Sequence, residues 1–164
     1  QLEDIENSDD ILLDIQKRVA ELDAECKKKA TTLTAQRMKA AVTIEKEILS
    51  RLETLGLTKV RFKINIDETP FNNNGTDKIS FLFSANPGTP LQPVSEVASG
   101  GEIARLMLSL KAMISGAVKL PTIIFDEIDT GVSGNIAEKM AKIMQDVLMV
   151  ARRMAGISWM VTLL

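Results

Sequence analysis

The sequence predicts an α/β domain, a parallel sheet with a β-hairpin, preceded by one long helix. Three observations predict it. No glycine or proline interrupts the amphipathic run between Ser8 and Leu55. Two short segments near residues 59 and 79 alternate apolar and polar residues, the period of a strand with one buried face. An apolar helix followed by the apolar run "PTIIFDEID" then suggests a βαβ unit, which requires a parallel sheet.

The long helix comes first. Apolar residues recur at Ile15, Val19, Leu22, Cys26, Ala30, Leu33, Ala41, Ile44, Ile48, Leu52 and Leu55, with one polar slot at Arg37. The spacing averages close to 3.6 residues per turn, so the stripe stays on one side of a nearly straight helix. At 1.5 Å per residue it extends roughly 70 Å. A helix of that length needs a partner helix along its stripe. Gly56 stands where a C-terminal cap belongs, and the composition changes there. The domains are therefore drawn as residues 1–56, an arm, and 57–164, a head.

In "TKVRFKINID", Val60, Phe62, Ile64 and Ile66 alternate with Lys59, Arg61, Lys63 and Asn65; in "KISFLFS", Ile79, Phe81 and Phe83 form the apolar set. The turn-rich "ETPFNNNGTD" between them predicts a hairpin with a longish loop, and "ANPGTPLQP" reads as loop. A helix is expected from about Gly100 to Gly116, burying Ile103, Leu106, Met107, Leu110, Met113 and Ile114. A buried strand at "PTIIFDEID" and a turn at "TGVSG" follow, then a helix from Asn135 to about Val150 and a final strand within "AGISWMVTLL".

Composition narrows the chemistry. The formal net charge of −2 argues against bulk binding to nucleic acid, so a DNA contact would need a local patch. One cysteine and no histidine exclude a disulfide framework, a cysteine zinc site and a histidine base. No apolar run approaches the ~18 residues of a membrane span. A start at Gln1 in acidic, helix-like sequence reads as a piece of a longer protein. Lys27, Lys28 and Lys29 read as a solvated helix face. Lys59, Arg61 and Lys63 line one strand face, for which a phosphate-binding stripe is the less expected reading. Cys26 and most of the eight methionines read as packing, and lone Trp159 gives no stacking platform.

Two stretches carry chemistry. In "VASGGEIARL", Ser99 and Glu102 have the spacing of a capping box. That leaves Gly100 and Gly101 unexplained, since each costs up to ~1 kcal/mol relative to alanine inside a helix. Glycines bare the amides of the helix start, and amides plus helix dipole favour an anion such as phosphate. The second stretch is "FDEID". Asp126 and Glu127 end a buried strand, where α/β proteins place ligands. One carboxylate there can hold Mg²⁺ and the next can deprotonate a water.

Taken together, these stretches resemble ABC-type ATPase heads. "SGGE" resembles the signature motif and "IIFDEID" the Walker B motif of the SMC-like branch. The string "VASGGEIARLMLSLK … PTIIFDEIDTGVSG", with "FLFSANPG" before it, is identified as a member of the RecN family of bacterial DNA repair proteins. The resemblance covers about Phe81 to Met144. It implies the C-terminal half of a P-loop NTPase head of ABC/SMC type, with the returning helix of an antiparallel coiled coil. It also implies that Ser99, Gly100, Gly101 and Glu102 meet ATP held by the opposite protomer. Asp126 would be the Mg²⁺-associated acid and Glu127 the catalytic base. Asp129, Thr130, Gly131, Val132, Ser133 and Gly134 resemble the D-loop that crosses the dimer interface. Arg105, one turn past Glu102, could pair with an acid or contact nucleotide, with the structural role favoured.

The family further implies ATP and Mg²⁺ as cofactors, DNA and a second head as partners, and a bacterial cytoplasmic, nucleoid-associated setting without a membrane. It places the protein in double-strand break repair and recombination. Three features depart from the pattern. No GxxxxGK[ST] occurs, so the phosphate-cradling loop is expected on a missing N-terminal half, and this chain alone is expected to be inactive. The switch histidine of ABC heads is absent. Residues from "VLMVARRM" onward do not resemble the family. Another SMC-like recombination ATPase, or a non-catalytic coiled-coil interaction module, are the alternatives.

Overall fold

A computed structural model of the chain describes residues 2–97, 100–118, 132 and 134–155. Helix α1 (Leu2–Thr54) leads into strands β1 (Arg61–Asn72), β2 (Gly75–Ser84) and β3 (Gln92–Pro93), then a short 3₁₀ turn, Val94–Glu96. Helices α2 (Gly100–Ala117) and α3 (Asn135–Ala155) follow. The chain divides into two compact units, residues 1–41 with 66–79, and residues 42–65 with 80–164; α1, β1 and β2 contribute to both.

The helical expectations hold in type and place. The run without glycine or proline is one helix of 53 residues. Gly56 is its C-terminal cap: at φ +82 it donates its N–H to the Glu53 carbonyl, and Leu57 donates to the Leu52 carbonyl. This pair of bonds is a Schellman motif, which uses glycine because a left-handed residue avoids a Cβ clash there. Helix α2 begins at Gly100 as expected, and α3 runs to Ala155, past the expected end near Val150.

The sheet differs from expectation. It has three strands in the order β1-β2-β3, with β2 central. β2 and β3 are antiparallel, Leu82 opposite Pro93 and Phe83 opposite Gln92, so part of the expected "ANPGTPLQP" loop is an edge strand. The expected long hairpin loop shrinks to two residues between Asn72 and Gly75, and strands joined so tightly must be antiparallel. Asn72 closes the turn by accepting the Asn74 N–H on Oδ1 at 2.7 Å, and Gly75 takes φ +98. The parallel sheet expected from the strand at 121–126 and the final strand at 156–164 lie outside the described residues.

In the first unit, the hairpin turn and α1 meet around one buried ion pair. Arg37 donates from Nη1 to Asp77 Oδ2 at 2.8 Å, and Thr34 donates from Oγ1 to Asp77 Oδ1 at 2.7 Å. The Asp77 side chain is only 4% exposed. This explains the polar slot at Arg37 in an otherwise apolar stripe. Ala30 is buried here, whereas Ile15, Val19, Leu22 and Cys26 are exposed, so among the described residues no partner helix covers the start of the stripe.

In the second unit, Ile48, Leu52 and Leu55 from α1 are fully buried. Leu55, Leu108, Met140 and Val147 form a core cluster with Ala104, Ala112, Ile136, Ile143 and Met144 against it. Within α2, Leu106 is buried as expected. Leu108 and Ser109 are buried too, and Ile114 is exposed, so the helix turns a broader side inward than the stripe implied. Phe62, Ile64 and Phe83 are buried, but Phe81 keeps 43% of its surface exposed. It stacks on Phe62 with ring centroids 6.1 Å apart, and nothing described covers its other side. Ile79, in the first unit, is likewise exposed rather than buried.

Candidate functional site

Of "SGGE", the described residues carry Gly100, Gly101 and Glu102. Gly100 and Gly101 are the first two residues of α2, an 18-residue helix whose axis dipole favours an anion at this end. Gly100 is exposed, and a Cβ added to it would meet nothing within 4 Å. Among the described residues nothing occupies the space above its backbone, which is what close approach of a phosphate requires. Gly101 and Glu102 are half-buried. Ser99, the expected cap, lies outside the described residues.

Arg105 follows on the same helix. Its backbone carbonyl accepts a bond from Ser109 Oγ at 2.9 Å. Its Nε is buried without a hydrogen-bond partner, the one such side-chain atom found among the described residues. A buried N–H left unmet costs about 1–3 kcal/mol.

Of the expected D-loop, Val132 is half-buried and packs against the Leu55–Leu108–Met140–Val147 cluster. Gly134 is exposed at φ +57, and its carbonyl accepts the Glu138 N–H at 3.3 Å, the first turn of α3. A glycine is suited to this left-handed position ahead of a helix. Asp126, Glu127, Asp129, Thr130, Gly131 and Ser133 lie outside the described residues. Among the described residues no cluster of three or more His, Cys, Asp or Glu could hold a metal ion. The Mg²⁺ expected at Asp126 therefore gains no support from them.

The charged surface sorts into paired and unpaired groups. On α1, Lys27 pairs with Asp23 and Lys29 with Glu25, each at 2.7 Å. Hydrogen bonds and charge within these pairs raise the pKa of both lysines and lower that of Glu25. This is the solvated helix face expected of the lysine run. The hydrogen bond from Arg37, then that from Thr34, holds the Asp77 carboxyl below the usual carboxylate range.

Sequence reasoning missed Glu45, whose Oε1 accepts the Ile64 N–H of β1 at 2.7 Å. A carboxylate here occupies a donor on the edge of the sheet. Nothing local in the sequence marks Glu45 for that task. It missed Asp77 as well, although the polar slot at Arg37 was a signal that a buried acid would be near.

No protein-family model matches the chain. The chain is similar to curated proteins named DNA repair protein RecN from several bacteria. It is 36% identical over 147 residues to the protein of Halalkalibacterium halodurans, covering 87% of this chain and 26% of that one. To that of Vibrio cholerae it is 36% identical over 118 residues, 71% of this chain and 21% of the relative. To that of Bacillus subtilis it is 34% identical over 158 residues, 87% and 27%. The chain thus spans about a quarter of the length of these relatives. Among solved structures, an SMC head bound to the C-winged helix domain of ScpA matches 77% of this chain and 35% of that one at 15% identity and a TM-score of 0.39.

Proposed function

From a chain that is RecN-like over most of its length, we propose that it supplies the C-terminal half of an SMC-like ATPase head acting in DNA repair, with part of its coiled-coil arm. The observation that carries this reading is the start of α2. Two glycines open an 18-residue helix, and among the described residues nothing stands within 4 Å of where a Cβ on the first would lie.

In this reading two heads enclose two ATP molecules. Each nucleotide is cradled by one head and closed by Ser99, Gly100, Gly101 and Glu102 of the other, whose amides and helix dipole meet the terminal phosphate. Glu127 takes a proton from the attacking water. Asp126 would hold Mg²⁺, directly or through water, and the ion would supply charge neutralisation on the phosphates. Asp129 to Gly134 cross between the heads. The unmet Nε–H of Arg105 suits an acceptor brought by the closing of the second head. Hydrolysis then releases the pair and moves the arms. The exposed stripe at Ile15, Val19 and Leu22 fits a second helix of the arm.

The test is ATP-dependent association of the full-length protein, followed by sedimentation. Glu127→Gln is expected to trap an ATP-bound dimer, because binding survives while the base is lost. Ser99→Arg is expected to prevent the dimer by filling the phosphate site. Association indifferent to ATP in all three proteins would sink the head reading and leave a coiled-coil interaction module as the better account.

A further inference from the structure

The start of β1 presents two exposed cations on its outer face, Arg61 and Lys63, with Lys59 just ahead of them, that the ATPase reading does not use. Along this strand burial alternates: Phe62 and Ile64 are buried, whereas Arg61 and Lys63 are exposed, as is Lys59 just ahead of the strand. We propose that Lys59, Arg61 and Lys63 form a contact stripe for the phosphate backbone of duplex DNA. The identity of the polyanion rests on the DNA-repair reading above; the stripe itself rests on the following observations.

First, these cations are not neutralised as others are. Lys27 and Lys29 on α1 each have a carboxylate at 2.7 Å. Among the described residues, neither Lys59 nor Lys63 has an ion-pair partner. Second, Arg61 is held in place. Its Nη2 donates to the Thr89 carbonyl. That turn is braced by Ser84 Oγ, which bonds the Asn86 carbonyl at 2.8 Å and the Thr89 carbonyl at 2.9 Å. The turn takes one of the five guanidinium N–H groups, and a cation fixed beforehand loses less entropy on binding.

Third, protection of a sheet edge does not account for three cations. Edge strands often carry lysine to block pairing with another chain. Here Glu45 already occupies the Ile64 N–H. Phe62, between Arg61 and Lys63 in sequence, is buried on the opposite face, so the stripe itself carries no ring for base stacking and backbone contact without sequence preference is the expected mode.

The experiment measures binding of the full-length protein to a fluorescent 40-base-pair duplex between about 50 and 200 mM NaCl, without nucleotide. Each phosphate contact contributes a slope of about 0.9 in log affinity against log salt. The triple variant Lys59→Gln, Arg61→Gln, Lys63→Gln is expected to lower the slope by about 2 to 3, equally for duplexes of unrelated sequence. The matched variant Lys27→Gln, Lys28→Gln, Lys29→Gln removes the same charge and is expected to leave the slope unchanged. Lys63→Gln alone, which breaks no ion pair among the described residues, is expected to lower it by about 0.9 should the triple variant misfold. A wild-type slope in both the triple and the Lys63 variant would overturn the proposal. So would an equal loss in the α1 variant, or a loss seen with single-stranded DNA only. ATP-dependent association, measured in parallel, is expected to survive in the triple variant. If ATP fails to associate even the wild type while the slope still falls, the head reading fails and the stripe stands.

Discussion

Asp77 is a carboxylate with little side-chain exposure whose charge is met by two donors. Two donors, Arg37 and Thr34, meet its two oxygens and lower its pKa. The folded value lies below the unfolded one, so its stabilising contribution is complete above the ordinary carboxylate range near pH 4 and is lost as pH falls through the folded value. The urea midpoint of the full-length protein is therefore expected to drop between pH 7 and pH 3 by more in wild type than in Asp77→Asn. Equal drops would show that the pair adds nothing. Gly56 is a second residue with one permitted identity. Its φ of +82 strains any side chain, and an added Cβ would stand 2.7 Å from Ile136 Cδ1. Gly56→Ala is expected to cost about 1–3 kcal/mol, read as a lower urea midpoint; an unchanged midpoint would mean the cap relaxes. The pattern of the sequence made Gly56 visible as a cap. Asp77 was hidden, because its partner is 40 residues away in the chain.

Helices α2 and α3 pack on each other through Leu108, Met140 and Val147, with Leu55 at the end of α1 in the same cluster. Leu108 is fully buried, so Leu108→Ala is expected to cost about 2–5 kcal/mol through lost burial and the cavity left behind. Faster hydrogen exchange of the α3 amides in the full-length variant checks this. Exchange at the wild-type rate would mean that α3 does not depend on that contact. The type and start of both helices were legible from periodicity and from the glycines before them. Which face α2 buries was legible only in part. Leu108 lies off the stripe that periodicity selects, and it is buried because α3 and the end of α1 both meet α2. The hairpin was legible from alternation. Its two-residue turn was not, since Asn72 and Gly75 close it by a side-chain bond and a left-handed residue within a stretch that composition reads as loop.

At the scale of the whole molecule, the chain spans about a quarter of its RecN relatives, and the proposed site needs groups that this chain does not carry. A phosphate-cradling loop must come from elsewhere, and the signature is expected to act on a nucleotide held by another head. Mixing full-length Glu127→Gln with full-length Ser99→Arg is accordingly expected to give mixed dimers with at most one closed site. An ATPase rate per mixed dimer equal to that of the wild type would argue against action across the interface.

The sequence by itself determined the long helix, its cap at Gly56, the alternation of β1, the glycine start of α2 and the motifs that relate the chain to RecN. These depend on neighbours within a few residues, where spacing, dipole and steric limits act directly. Only the tertiary structure decided that Arg37 interrupts the stripe to meet Asp77, that Glu45 takes an edge N–H of β1, that Leu108 is core, and that Lys63 of β1 has no ion-pair partner among the described residues. Each of these joins residues distant in the chain, and burial or pairing between them follows from which surfaces meet, a quantity no local pattern contains.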